Sequence, residues 1–437
     1  MSVLEYDSHI TIEEEPIAEV RNPDYCVRSI ELENIGKKLD TPFKILSGDG
    51  VTETELNHYS TALSNPIFES ARFLQAPISW AGLEKYLTEY SSHKRNQSLR
   101  DFFKIKNKQF WDKSLTTLSL SFPRNPFEKQ SFKTVEFGGL DDDSYLYLLN
   151  FIHANSSAFV LVPDIKIETN DFVSTYLEKI DFSVKILSDI NSKPIFVPLP
   201  LTASENVTVK ILQHYKQNKY SNIWINFNDK PCDSNFSADL RSTKQLINKY
   251  MDGLSVVLHC SHIKRGILPH LQDTQVASSD VLTQFFGADF IGVKRFGAGR
   301  NPYADDPEHL AQEALKNNFD TIEQYQQAKE DSATRMFDPT TYYYHNLDEY
   351  SYSTDFDMTL LRDRTHNKIV NDLLIHGEVE SVKKYVEENA DTSITSRPLK
   401  KYLQQKKMIQ ENLLIKDALI PKTIAPTLSD LADILGI

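Results

Sequence analysis

The sequence predicts an α/β protein, a (β/α)8 TIM-type barrel with an acidic N-terminal arm and a C-terminal helical extension. Eight short runs of β-branched and aromatic residues recur between Phe43 and Val293, and helical segments separate them. From the fourth run onward both alternating faces are apolar, as in strands buried inside a parallel sheet. Strand and helix repeated in this way fit a barrel, with an open doubly wound sheet as the alternative.

Residues 1 to about 27 carry Glu5, Asp7, Glu13, Glu14, Glu15 and Glu19 with little periodicity, which predicts a surface arm. Candidate strands then follow at Phe43 to Leu46, Leu118 to Phe122, Thr134 to Phe137, Ala158 to Val162, Ile195 to Val197, Asn222 to Phe227, Ser255 to Leu258 and Asp289 to Val293. Predicted crossover helices run over Ser144 to His153, Asp171 to Ser188, Ser204 to Gln217, Ser237 to Met251 and Ser279 to Phe286, several opening with a Ser or Asp suited to an N-cap. Pro163 and Pro198 close the fourth and fifth strands, because proline donates nothing to a ladder. Residues just beyond them sit at the C-terminal edge, where barrels of this class carry their chemistry. The barrel is expected over residues 28–330. In the extension, residues 331–437, an aromatic loop-like stretch from Met336 to His345 precedes helical patterns at Asp363 to Glu388 and Arg397 to Leu419, with a short helix expected from Thr427 to Leu435.

The 437 residues include 48 Lys plus Arg against 61 Asp plus Glu, a net charge of −13. That balance weakens any general attraction to phosphate backbones, so nucleic-acid binding must use a local patch. No run approaches about 18 consecutive apolar residues, and the acidic start does not suit a signal peptide. The expectation is a soluble, cytoplasmic protein with no membrane segment. Cys26, Cys232 and Cys260 are too few and too scattered for a disulfide framework or a Cys-x-x-Cys zinc site. No metal or other cofactor is expected.

At the predicted edge, Asp164, Asn226, Asn228, Asp229, His259, His262, Lys294 and Arg295 end strands, and the third strand ends in Glu136, Phe137, Gly138 and Gly139. Glu136 and Asp164 are expected to converge with amides and imidazoles at one mouth, where they would bind a polar heterocycle or move protons; an N-cap role is the plainer alternative. His259 and His262 invite a metal reading, but residues three apart on a strand point to opposite faces. Gly297, Ala298, Gly299 and Arg300 resemble a small phosphate-holding turn after the last strand, with Lys294, Arg295 and Arg300 supplying charge. Tyr342 to His345 are expected to pack the extension onto the barrel, with base stacking as the alternative. Arg397, Lys400, Lys401, Lys406 and Lys407 form the densest basic group, read either as phosphate contacts or as a solvated helix face.

Three ordered stretches are similar to the tRNA-guanine transglycosylases, enzymes that exchange a guanine in tRNA for a 7-deazapurine. They are Ile35 to Ile45 with its Thr41-Pro42, the run Val135-Glu136-Phe137-Gly138-Gly139, and Ser279 to Leu282 leading to Phe286-Gly287-Ala288-Asp289-Phe290-Ile291-Gly292. The resemblance covers residues 28–305. It implies a base-binding mouth in which Asp164 reads the purine edge, with Gly138, Gly139, Asn226 and His259 beside it, and tRNA and a purine or 7-deazapurine base as partners. The family's nucleophilic Asp falls on Gly292, and its zinc cysteines are missing. Glu136 and Asp289 are the carboxylates left to replace the nucleophile; Asp289 lies at its strand's start, which favours Glu136. The alternatives are a non-catalytic binding subunit that docks a partner through the C-terminal helices, and an unrelated barrel hydrolase or lyase using His259 and Asp164.

Overall fold

The computed structural model describes residues 6–13, 25, 27–63, 65–74, 77–131, 136–167, 172–201, 203–266, 270–294, 296–297, 306–351, 359–389 and 398–419. Its centre is a curled parallel α/β sheet system. A six-stranded sheet runs in the order Val160–Leu161, Ile195–Pro200, Asn222–Pro231, Val257–Lys264, Phe290–Ile291 and Phe43–Lys44. A second runs Asp164–Ile165, Leu115–Phe122, Ile67–Phe73 and Phe296–Gly297, with Leu46–Ser47 beside Ile67–Phe73. All these pairings are parallel. The chain passes between the two sheets three times within a few residues, at Lys44 to Leu46, at Leu161 to Asp164 and between Ile291 and Phe296.

Two strand expectations are corrected. Ile67–Phe73, unforeseen in the sequence, pairs with Leu115–Phe122 along its whole length. Its polar Glu69, Ser70 and Arg72 interrupt the apolar pattern, yet all three are buried. Conversely, of the expected strand at Thr134 to Phe137, Glu136–Phe137 pairs antiparallel to Gln130–Ser131 in a separate two-stranded hairpin, and residues 134 and 135 lie outside the described residues. Leu115–Phe122 already has a neighbour on each side, so the parallel system has no place for it.

Helices Asp142–Ala154, Val173–Ile190, Glu205–Gln217 and Ser234–Tyr250 form the crossovers, and a 3-10 helix, Val281–Phe286, replaces the fifth expected helix. Asp141 caps the first of them by accepting from Ser144 N at 2.8 Å. Period-two alternation divides the strands' side chains. Phe68, Leu118, Leu120, Val160 and Ile223 join the large core beneath the helices. Ile67, Ala71, Phe159, Leu161, Phe196, Trp224, Val257 and Phe290 fill the inner face.

The described part of the N-terminal arm is built into the fold. Ile10–Glu13 pairs with Arg28–Leu32, which pairs with Lys37–Thr41. Ile10, Ile30, Leu32 and Leu39 pack into the same cluster as the inner face. Tyr6 donates to Ile195 O at 2.9 Å and Asn222 Nδ2 to Ser8 O at 2.9 Å, so the arm closes the N-terminal end of the strands.

In the extension the aromatic stretch is a hairpin, Met336–Asp338 with Tyr343–His345, that pairs with Gln275–Ala277. Tyr342 and Tyr344 are fully buried. The long helix Arg364–Glu388 follows. The expected helix from Arg397 to Leu419 is three short ones, Pro398–Leu403, Lys407–Glu411 and Leu413–Leu419, because Lys406 and Asn412 take extended backbone conformations. Lys406 is drawn inward to Glu378, 3.0 Å away, and to Pro339 O at 2.6 Å, which removes it from the expected basic face. The expected helix at Thr427 to Leu435 lies outside the described residues. No helix among the described residues is long and apolar enough to cross a membrane.

Candidate functional site

Asp164 and Asn226 come from different strands and meet at the C-terminal edge. Asn226 Nδ2 donates to Asp164 Oδ2 at 2.6 Å, and Asn226 Oδ1 accepts from Asn228 N at 2.8 Å. The second bond is possible because Asn228 and Asp229 adopt left-handed backbone, φ 51° and 59°, where the register with Val257–Lys264 shifts. Asp164 is buried and its Oδ1 has no hydrogen-bond partner among the described residues. Burial pushes its carboxyl up to about 6, against the opposing pull of the Asn226 bond. An acid poised there can give or take a hydrogen bond near neutral pH.

Inside the strands lies a polar layer that sequence reasoning missed. Period-two alternation turns Glu69 inward with Ile67 and Ala71. Its Oε1 accepts from Ser119 Oγ at 2.6 Å and Ser261 Oγ at 2.5 Å, and Oε2 accepts from Val293 N at 3.3 Å and stands 3.4 Å from His259 Nε2. Burial works to raise the Glu69 carboxyl, but His259 first, then His262 and the Ser119 bond, outweigh it and hold the group at about 2. His259 is wedged among Phe159, Phe196 and Phe290 on its other side. His262 does not point away from His259's surroundings as alternation requires. Its φ of 59° breaks the strand period and brings Nε2 within 2.8 Å of Ser119 Oγ, the hydroxyl that also serves Glu69. The signal for Glu69 in the sequence was a carboxylate alternating with Ile67 and Ala71.

A third feature is a cavity of about 670 Å³ between the ends of the strands and the Arg364–Glu388 helix. Lys44, Lys264, Arg265 and Lys294 line it from the strand side, and Arg335, Arg364 and Lys368 from the extension, against Asp280 and Asp372. Lys44 is buried and donates to Gly292 O at 2.7 Å; burial lowers its pKa, with Asp372 and Asp280 pulling back. Arg265 sits 4.8 Å from the centre of the Tyr344 ring, whose hydroxyl donates to Asp280 Oδ2 at 2.8 Å. Asp280 is buried, its Oδ1 is without a partner among the described residues, and burial raises its pKa against Arg265 and Lys44.

The other expected residues scatter. Glu136 is exposed on the two-stranded hairpin and is not at a parallel strand's end. Gly138 N donates to Glu84 Oε1 at 3.1 Å, and Gly139, at φ 90°, turns the chain where a Cβ would stand 2.9 Å from Phe127 O, so both shape a surface turn. Asp289 is buried at the opposite end of its strand. Arg28 reaches it through Nε at 2.7 Å and Nη2 at 2.5 Å, Leu258 N donates at 2.7 Å and Thr41 Oγ1 at 3.3 Å. Lys294 is at the cavity, while Arg295 and Arg300 lie outside the described residues.

No family model matches the chain, and no curated protein matches it in sequence. Among solved structures it is similar to a double mutant of Cellulomonas fimi endo-beta-1,4-mannanase, with a TM-score of 0.34 and 13% identity over 64% of this chain and 69% of that one.

Proposed function

We propose that the chain is a tRNA-guanine transglycosylase-like cytoplasmic protein, a (β/α)8 barrel that binds a purine of tRNA at the C-terminal ends of its strands. The split first and fourth strands support closure, since each joins one sheet to the other. The observation that carries the reading is the Asp164 and Asn226 pair. A buried carboxyl with one oxygen unpartnered among the described residues, held by an amide, offers the donor and acceptor pattern that a purine edge needs.

In this reading Glu69 supplies the carboxylate that position 292 lacks. Its oxygen would attack the ribose C1′ as the guanine leaves with the glycosidic electron pair and takes a proton; the incoming base then displaces the carboxylate from the same carbon. The assay is incorporation of a labelled 7-deazapurine into tRNA. Incorporation by the wild type, reduced at least about a hundredfold in E69Q, supports exchange.

The second reading is a non-catalytic tRNA-binding subunit that meets a partner through its C-terminal helices. It is favoured by Glu69 having no exposure and by its four close contacts. Absent incorporation, with tRNA binding that D164N weakens, selects this version. A wild type that neither binds tRNA nor incorporates base overturns both.

A further inference from the structure

We propose that the cavity beneath the Arg364–Glu388 helix is a binding site for a small phosphorylated sugar, such as a pentose phosphate or the sugar phosphate of a mononucleotide. The site is separate from the Asp164 and Asn226 pair and does not depend on activity toward tRNA.

Seven cationic side chains face two carboxylates there, and of the cations Lys44 is buried and Arg265 half-buried. Buried cations need counter-charge, and Asp280 and Asp372 supply only part of it. A phosphate supplies the remainder through short charge-assisted hydrogen bonds. The place agrees with the general position of phosphate sites in parallel α/β folds, at the ends of the last strands.

Asp280 narrows the ligand class. Its Oδ2 is satisfied by Tyr344, while Oδ1 is buried and without a partner among the described residues, and Asp280 is one of the residues that line the cavity. A carboxylate oxygen repels phosphate but accepts from a hydroxyl. Cations and this acceptor in one cavity therefore match a molecule that carries hydroxyls a few atoms from its phosphate. A volume near 670 Å³ accommodates such a ligand. A nucleic-acid backbone is a poorer match, because Lys44 on the strand side is buried and Arg265 half-buried, and a long strand would meet only the rim.

The test is calorimetric titration of the full chain at fixed ionic strength with ribose 5-phosphate, inorganic phosphate, ribose and a short single-stranded RNA. Ribose 5-phosphate is expected to bind at least about tenfold tighter than phosphate, and ribose not measurably. R364Q, at an exposed position on the rim, should weaken ribose 5-phosphate about tenfold without unfolding the protein. D280N, checked for folding by circular dichroism, should shrink the preference for ribose 5-phosphate over phosphate. Equal affinity for ribose 5-phosphate and phosphate, or indifference to R364Q, would overturn the proposal. So would RNA binding that depends on Arg364 while ribose 5-phosphate fails to bind.

Discussion

The carboxylate of Glu69 occupies the space that a side chain on Gly292 would need, with Oε2 2.7 Å from where a β-carbon at 292 would stand. Ser261 Cβ at 2.6 Å and His259 Cε1 at 2.8 Å complete the enclosure. Two strands that are not neighbours thus compete for one position in the interior, and the residue on Ile67–Phe73 holds it. G292A should therefore destabilise the fold by about 1–3 kcal/mol, the usual cost of forcing atoms into a packed interior. Urea denaturation measures this. An unchanged midpoint would show that Glu69 and His259 move aside freely, and the exclusion of a carboxylate at 292 would lose its basis.

Glu69 also sets an acid limit on stability. Its folded pKa of about 2 lies below the ordinary 4.5, so its contribution is complete above pH 4.5 and is lost as pH falls toward 2. The difference amounts to about 3 kcal/mol at most. E69Q has no such group, so its stability should change less than the wild type's between pH 5 and pH 2.5. Parallel loss in both proteins would mean that His259, His262 and Ser119 do not favour the ionised form.

Much of the parallel system was legible because its strands are apolar on both faces: Val160–Leu161 falls inside the strand expected at Ala158 to Val162, and Ile195–Pro200 and Asn222–Pro231 begin where the sequence places them. Ile67–Phe73 was not, because its polar residues find their partners far away in sequence. Arg72 finds Asp49 at 3.1 Å, and Glu69 finds Ser261 and His259, and no local pattern records those meetings. The site divides in the same way. Asp164 and Asn226 could be placed at one edge from strand ends alone. The turn of His262 toward Ser119 depends on one residue's left-handed backbone, which alternation does not foresee. Glu136 misled because a Gly-Gly turn after a β-rich run looks the same in a surface hairpin as at a barrel edge.

Asp164 should respond to pH in the opposite direction to Glu69. Its folded pKa is raised from the ordinary 3.8 to about 6, so ionisation costs the folded state more than the unfolded one, and stability falls as pH rises through that interval. D164N, which cannot ionise, should match the wild type near pH 3.5 and exceed it above pH 6, by up to about 3 kcal/mol. Thermal melts at the two pH values decide it. Equal stability above pH 6 would mean that the open oxygen is solvated in solution, which would weaken its assignment to a purine edge.

Asp289 separates a structural carboxylate from a chemical one. Arg28, Thr41 and Leu258 already use its oxygens, and the Arg28 side chain it neutralises is itself only 11% exposed. Removing one partner of such a pair leaves an uncompensated charge, so D289A should cost about 3–5 kcal/mol. Replacing both partners, as in R28M with D289L, should recover part of that loss, because the orphaned guanidinium goes with it. A nucleophile predicts otherwise: little change in stability on D289A and no recovery in the pair. Chemical denaturation of the three variants beside the wild type distinguishes the roles, and an additive double variant would overturn the ion-pair account.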